Sequence, residues 1–175
     1  MARSHGNSIA DSLQLSLGYA DRLMAGVDET NFARFASPSG QTIESNHPAF
    51  ILGHLSLYAP VICQQLGRDD LTKNAPSHFE TVFSKDAKCQ DDADGSIYPA
   101  MAKVVDFFKT GYANTLTALR EADDATFQQS NPSEGRIAEL FPSLGSVHGF
   151  YVGGHMMMHL GQMSAWRRMQ GLGSA

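Results

Sequence analysis

The chain has 175 residues, of which 42% are hydrophobic and 18% charged, and its formal net charge is −5 at pH 7. This length favours one domain with a single core, so we expect one domain over residues 1–175. The acidic balance argues against nucleic-acid binding, and the lack of a long apolar run argues against a membrane span. Because the amino terminus also lacks an apolar signal-peptide region, we expect a cytoplasmic protein.

Apolar residues recur at steps of three and four in the first third of the chain, which predicts helices. Helix one covers about 9–27, and helix two covers about 47–66 with Asn46 as its N-cap. Pro60 lies inside helix two and should kink it or end it early, because its ring clashes with the carbonyl four residues back.

Two long connections separate the remaining helices. The polar stretch 67–95 is far longer than a helix hairpin needs, so it could cross the bundle and let helix three run parallel to helix two. Helix three should run from a Ser96 cap to about Glu121. A second excursion, 122–142, precedes helix four, which is expected over 143–169.

No segment shows sustained strand alternation, and no internal repeat is present. Four amphipathic helices each need a partner for their apolar stripe, and four stripes can close one core. The sequence therefore predicts an all-α protein, an antiparallel or mixed four-helix bundle with a long crossover between helices two and three. The two cysteines, Cys63 and Cys89, have no CxxC spacing and are expected to be free thiols.

Helix four contains the stretch GGHMMMHLGQMSAWRRMQG, in which His155 and His159 are four residues apart. Four residues advance a helix by little more than one turn, so both imidazoles point the same way, as paired metal ligands require. The HExxH helix of zinc proteases uses this spacing, but Met156 stands where that motif has its catalytic glutamate. A metalloprotease is therefore excluded.

A catalytic metal usually takes three protein ligands and keeps one open position. The best third candidate is His54, because its segment FILGHLSLYAPVI is apolar and should face the core. A histidine on an apolar face is also often a core residue with a satisfied hydrogen bond, and spacing alone leaves both interpretations open.

Three further side chains are candidates for the pocket around such a site. Gln162 continues the stripe of His155 and His159 and could hold the second nitrogen of a ligand, although an amide bonded to a neighbouring helix is an equal alternative. Tyr58 lies one turn after His54 and could present its hydroxyl to the same cavity. His148, seven residues before His155, could line the mouth of the pocket.

The segments NHPAFILGHL and GGHMMMHLGQMSAWRRMQG together resemble the DinB/YfiT-like family of metal-dependent proteins. In that family a helix-two histidine joins an HxxxHxxQ pattern in the final helix to form a three-histidine site. By position these ligands correspond to His54, His155 and His159, and Gln162 matches the glutamine. The resemblance implies an up-down-down-up bundle, a divalent metal such as nickel or zinc, and a homodimer.

The resemblance also implies an activity on a small-molecule substrate. Some relatives are S-transferases that use a low-molecular-weight thiol such as bacillithiol or mycothiol, and related hydrolases or isomerases are alternatives. One fold hosts many chemistries, so this step is an analogy. Two other classes stay open: a non-catalytic protein that binds a small molecule, and a structural dimeric helical bundle.

Overall fold

The computed structural model describes residues 3–175, and within that range the regular elements are helices joined by loops. Only two isolated β-bridges, Ala36 with Ile43 and Ser130 with Ser143, occur in this part of the chain. The α-helices are α1 (His5–Met24), α2 (Pro48–Ser56), α3 (Tyr58–Gln65), α4 (Ser77–Phe83), α5 (Met101–Glu121), α6 (Arg136–Leu140), α7 (Leu144–Gly149) and α8 (Met156–Met169). The prediction of an all-α fold is confirmed.

The long helices pack around one cluster of buried apolar side chains. Helix α1 contacts α5 and α8, and α2 contacts the same two helices from the other side of the core. Trp166 on α8 is fully buried, and its indole N–H donates to the carbonyl of Arg34 at 2.8 Å. None of the helices within residues 3–175 has the length and hydropathy needed to cross a membrane.

The predicted second helix is interrupted at Leu57, between α2 and α3. Pro60 lies in the first turn of α3, where its missing N–H costs no hydrogen bond. Its ring would clash with the carbonyl of residue 56 in a continuous helix, and α2 ends at Ser56. The interruption therefore has a local cause in the sequence.

The N-cap of this helix pair differs from the prediction. His47, not Asn46, caps α2: its Nδ1 accepts a hydrogen bond from the backbone N–H of Phe50. Because Nδ1 is the acceptor, Nε2 carries the proton and donates to the carbonyl of Gln90 at 2.8 Å. The same imidazole thus caps the helix and attaches the connection that precedes α5.

Two further boundaries are corrected. Helix α5 begins at Met101 rather than after Ser96, because the backbone N–H of Ser96 bonds to the carboxylates of Asp92 and Asp94 in a turn. The connection 67–95 is not wholly irregular, since it contains α4.

The predicted fourth helix covers the expected span but changes its winding. Ser143 begins α7 with a reciprocal capping box to Ser146, and a π-helical segment, Phe150–His155, leads into α8. Gly153 lies in that segment against α1, where an added Cβ would come within 3.1 Å of Ser12 Oγ. A wider π turn and a residue without a side chain together let the two helices approach closely.

Arg167 on α8 ties the end of the chain to α1. Its guanidinium donates to the carbonyls of Leu23 and Ala25 at the C-terminus of α1 and to that of Leu172. The arginine is buried, and so is its hydrogen bond to the carbonyl of Leu23, whereas its bonds to the carbonyls of Ala25 and Leu172 are only partly buried. A cation at a helix C-terminus also interacts favourably with the helix dipole.

We expect Arg167→Met to lower the free energy of unfolding by about 2 kcal/mol or more, because hydrogen bonds from a charged group are lost and the buried carbonyl of Leu23 loses its partner. Arg168→Met is the matched control, since Arg168 is exposed and should tolerate the same change. Urea unfolding of both variants measures the difference. Equal stabilities of the two variants would contradict the role given to Arg167.

Candidate metal centre

His54, His155 and His159 meet inside the helical core. Their side chains come from the last turn of α2, the end of the π segment and the first turn of α8, and all three residues are buried. The Nε2 of His155 lies 3.4 Å from the Nε2 of His54 and 3.2 Å from the Nε2 of His159. The structure thus brings together the three histidines that the sequence predicted as ligands.

Two of the three imidazoles have their tautomer set by an oxygen acceptor. Nδ1 of His54 lies 2.8 Å from the carbonyl of Phe83, and Nδ1 of His159 lies 3.0 Å from Oε1 of Gln162. An oxygen acceptor at Nδ1 requires a proton there, so Nε2 of each ring carries a lone pair. Both lone pairs face the Nε2 of His155.

Burial keeps all three rings neutral. It lowers the pKa of His54 and of His159, and it lowers the pKa of His155 to about 3, helped by the neighbouring imidazoles. Neutral imidazole is the form that binds a metal ion, because protonation would occupy the donor lone pair.

The residues present fit a divalent ion bound by three imidazoles. Metal–nitrogen bonds of about 2.0–2.1 Å in a tetrahedral arrangement place the donor atoms about 3.3 Å apart. The two measured separations from His155 Nε2, 3.4 and 3.2 Å, agree with that geometry. All three donor atoms lie within 4.8 Å of one another, and this buried group could hold a metal ion.

A cavity of about 450 Å³ borders the cluster. Its lining combines the three histidines with residues from the start of α2, from α3 and from the segment after α4, namely Asn46, Phe50, Tyr58, Ser84, Lys85, Ala87, Lys88 and Cys89. A second cavity of about 290 Å³ also borders His54 and Tyr58 and is lined by Glu80 and Asp86. A small molecule therefore has room beside the donor atoms.

The other predicted site residues differ in their placement. Tyr58 lines both cavities, and its Oη lies 3.5 Å from Nε2 of His54. Gln162, for which the sequence left two roles open, accepts hydrogen bonds from Nδ1 of His159 and from Asn46 Nδ2, each at 3.0 Å. His148 is not brought to the cavity: its Nε2 bonds to Oε1 of Gln65 at 2.9 Å in a buried position.

Sequence reasoning missed most of the wall opposite the histidines. Lys85, Lys88 and Cys89 belong to the long connection that was expected to shape the pocket, but no periodicity indicates which of its residues face inward. Burial raises the pKa of the Cys89 thiol to about 11, so it is protonated near neutral pH. Cys63 is free and lies elsewhere, with its sulfur 3.7 Å from Thr115 Oγ1.

Gly53 on α2 lets Phe83, at the end of α4, pack closely against α2. A Cβ on Gly53 would lie 2.5 Å from ring atoms of Phe83, which is too close for any side chain. The Phe83 ring is fully buried, so it has little freedom to move away. Because the carbonyl of Phe83 accepts a hydrogen bond from His54 Nδ1–H, the glycine indirectly positions the His54 ring.

Compared with models of known protein families, the chain matches none, and no curated protein matches it. The resemblance to the DinB/YfiT-like family therefore stays a prediction that rests on the two histidine segments. The function has to be argued from the geometry of the site.

We expect Gly53→Ala to weaken metal binding about 10-fold or more although no ligand is changed, since the loss of a ligand's hydrogen-bond partner typically costs that much. The measurement is zinc affinity by competition with a chromogenic chelator. Gly161→Ala is the control, because it lies on the ligand-bearing helix with no atom within 4 Å of the added Cβ. An unchanged zinc affinity in Gly53→Ala would show that Phe83 does not position His54.

Proposed function

We propose that this protein is a metal-dependent enzyme in which His54, His155 and His159 bind a divalent ion, with nickel or zinc as the expected metals. The observation that carries the proposal is the convergence of three neutral imidazoles, two with Nε2 lone pairs fixed inward, at the spacing of metal ligands. Imidazole nitrogen suits zinc, nickel, copper and iron better than it suits calcium or magnesium.

The scaffold that we propose is a four-helix bundle with the up-down-down-up order. Its four members are α1, the interrupted pair α2 and α3, α5, and the continuous run from α7 to α8. The contacts of α1 and of α2 with both α5 and α8 support this arrangement, because they close a ring around the core. The ligands then come from two of the four members, as in bundle proteins that build metal sites from facing helices.

The donor set supports a catalytic rather than a structural metal. Within residues 3–175, the group around the histidines contains no fourth histidine, cysteine or carboxylate ligand. Structural zinc sites usually have four protein ligands, whereas catalytic sites have three and an open position. Here the open side would face the cavity of about 450 Å³.

A bound divalent ion would supply Lewis acidity, which would lower the pKa of a thiol or of water toward neutral pH. The chain's own residues hold the substrate: Phe50 and Tyr58 offer apolar surface, and Lys85 and Lys88 place positive charge at the rim. Because the three ligands are neutral, they leave the ion's charge uncompensated and favour an anionic partner.

The reaction class that we propose is transfer of a low-molecular-weight thiol to a small electrophile. The thiol gives its proton to solvent, its sulfur forms a C–S bond to the electrophilic carbon, and the leaving group departs with its bonding electron pair. A hydrolase would use water as the nucleophile in the same place, and an isomerase would return the thiol. That the protein acts as a homodimer stays a prediction.

A non-catalytic bundle is the second candidate, and one observation favours it. Nδ1 of His155 is buried and has no hydrogen-bond partner among the described residues, whereas a metal-bound histidine normally donates its second N–H. In a metal-free core, His155 would carry its proton on Nε2 and donate to a neighbouring imidazole. The two candidates therefore differ in whether the cluster binds metal.

Wild-type protein purified without an affinity tag is expected to contain about one nickel or zinc ion per chain, and His54→Ala, His155→Ala and His159→Ala almost none, because each variant leaves two ligands. His78→Ala is the control, since His78 is exposed on α4 and outside the site. Elemental analysis measures the content. Full metal content in the three site variants, or none in wild type after reconstitution, would refute the metal site.

Metal-loaded wild type should accelerate the conjugation of a small thiol to a chloronitrobenzene electrophile, and the apoprotein and His155→Ala should not. The physical reason is that thiolate, not thiol, is the nucleophile. Thiol consumption and chloride release are followed together. A protein that binds one metal per chain but accelerates neither thiol transfer nor hydrolysis of activated esters would support a binding protein instead.

A further inference from the structure

Tyr58 is the polar group closest to the donor atoms that does not itself belong to the three-histidine cluster. Its ring packs between those of His54, His155 and Tyr151, with centroid separations of 5.3, 4.7 and 4.9 Å. Contacts on three sides fix the ring and therefore fix the direction of the C–O bond. The hydroxyl reaches the cavity at the donor atoms.

The hydrogen bonding of this hydroxyl is incomplete. Among residues 3–175, its one hydrogen-bond partner is Nε2 of His54, at 3.5 Å, which is long for a hydrogen bond. That nitrogen has a single lone pair, because the ring's proton is on Nδ1, which donates a hydrogen bond to the carbonyl of Phe83. A metal ion bound by His54 would use this lone pair and leave the phenol without an acceptor.

The ligand that completes the coordination of the ion would then be an acceptor for the phenol on the side of the larger cavity. We propose that Tyr58 donates a hydrogen bond to an anionic ligand in the open metal position and thereby selects anions over neutral ligands. This inference rests on the proposed function, because it needs a metal bound by the three histidines. It assigns Tyr58 a specificity role that the metal ligands cannot supply.

The ligand class follows from the charges around the cavity. Three neutral imidazoles leave the ion's positive charge uncompensated, which favours an anion. The phenol O–H favours a ligand that can accept a hydrogen bond. Lys85 and Lys88 line the same cavity and carry positive charge, although Lys88 lies 3.7 Å from the carboxylate of Glu44. The carboxylates of Glu80 and Asp86 border the smaller adjoining cavity, which Lys85 also lines. A small anion such as a thiolate or a carboxylate meets all of these requirements.

The experiment uses cobalt(II)-loaded protein, whose visible spectrum reports on the coordination of the ion. Azide serves as the anionic probe and imidazole as the neutral one, because coordinated imidazole keeps no lone pair for the phenol. Wild type, Tyr58→Phe and Tyr151→Phe are each titrated with both probes. Tyr151→Phe is the matched control, since it removes the same atom from a neighbouring ring that does not line the cavity.

We expect Tyr58→Phe to bind azide about 10-fold or more weakly than wild type, as the loss of a hydrogen bond to a charged group predicts. Its affinity for imidazole and its cobalt content should not change, and Tyr151→Phe should resemble wild type with both probes. The unfolding midpoint of Tyr58→Phe checks that the ring still packs.

Three results would overturn the inference while leaving the metal site intact. Equal azide affinity in Tyr58→Phe would show that the phenol does not contact the anion. An equal loss of azide and imidazole affinity would show general damage to the cavity, and a changed cobalt spectrum before any probe is added would make Tyr58 a direct ligand. Failure of wild type to bind cobalt would instead remove the metal site, and this inference with it.

Discussion

The hydrogen bond from His54 Nδ1 to the carbonyl of Phe83 connects the helical core to the segment that forms the outer wall of the cavity. It fixes the tautomer of His54 and so directs the Nε2 lone pair toward His155. It also secures the end of α4 just before Ser84, where the chain begins to line the cavity. The position of the histidine nitrogens and the shape of the cavity therefore depend on the same contact, which Gly53 permits by having no side chain.

Neutral imidazoles that face one another in a core raise the free energy of the folded state unless a proton or a metal ion lies between their nitrogen lone pairs. Burial prevents protonation from relieving the repulsion, since it lowers the pKa of all three histidines. A single N–H from Nε2 of His155 could satisfy the lone pair of one neighbour, whereas a divalent ion would bind the Nε2 lone pairs of all three rings and leave only Nδ1 of His155 without a partner. This difference in the number of satisfied lone pairs is the physical reason for preferring a metal site to an ordinary polar core.

Two irregularities in the helices lie at the site. The interruption at Leu57 separates His54 from Tyr58, and the π-helical segment ends at His155. A π turn changes the angular position of the residues around it, and such turns are frequent at functional sites. His54 and His155 thus lie next to points where the regular α-helix is modified, while α1 and α5 are uninterrupted helices of 20 and 21 residues.

The sequence by itself determined the helical class, the interruption near Pro60 and the shared face of His155 and His159, because each depends on local periodicity or on residues one turn apart. It offered His54 as their partner, and the contact between α2 and α8 brings His54 to them. The sequence left two roles open for Gln162, and its Oε1 contacts both His159 Nδ1 and Asn46 Nδ2. Only the tertiary structure decided that Lys85, Lys88 and Cys89 line the cavity and that His148 bonds to Gln65 away from it. Those placements come from how a long connection folds over α2 and how α7 packs, and such long-range contacts leave no periodic trace in the chain.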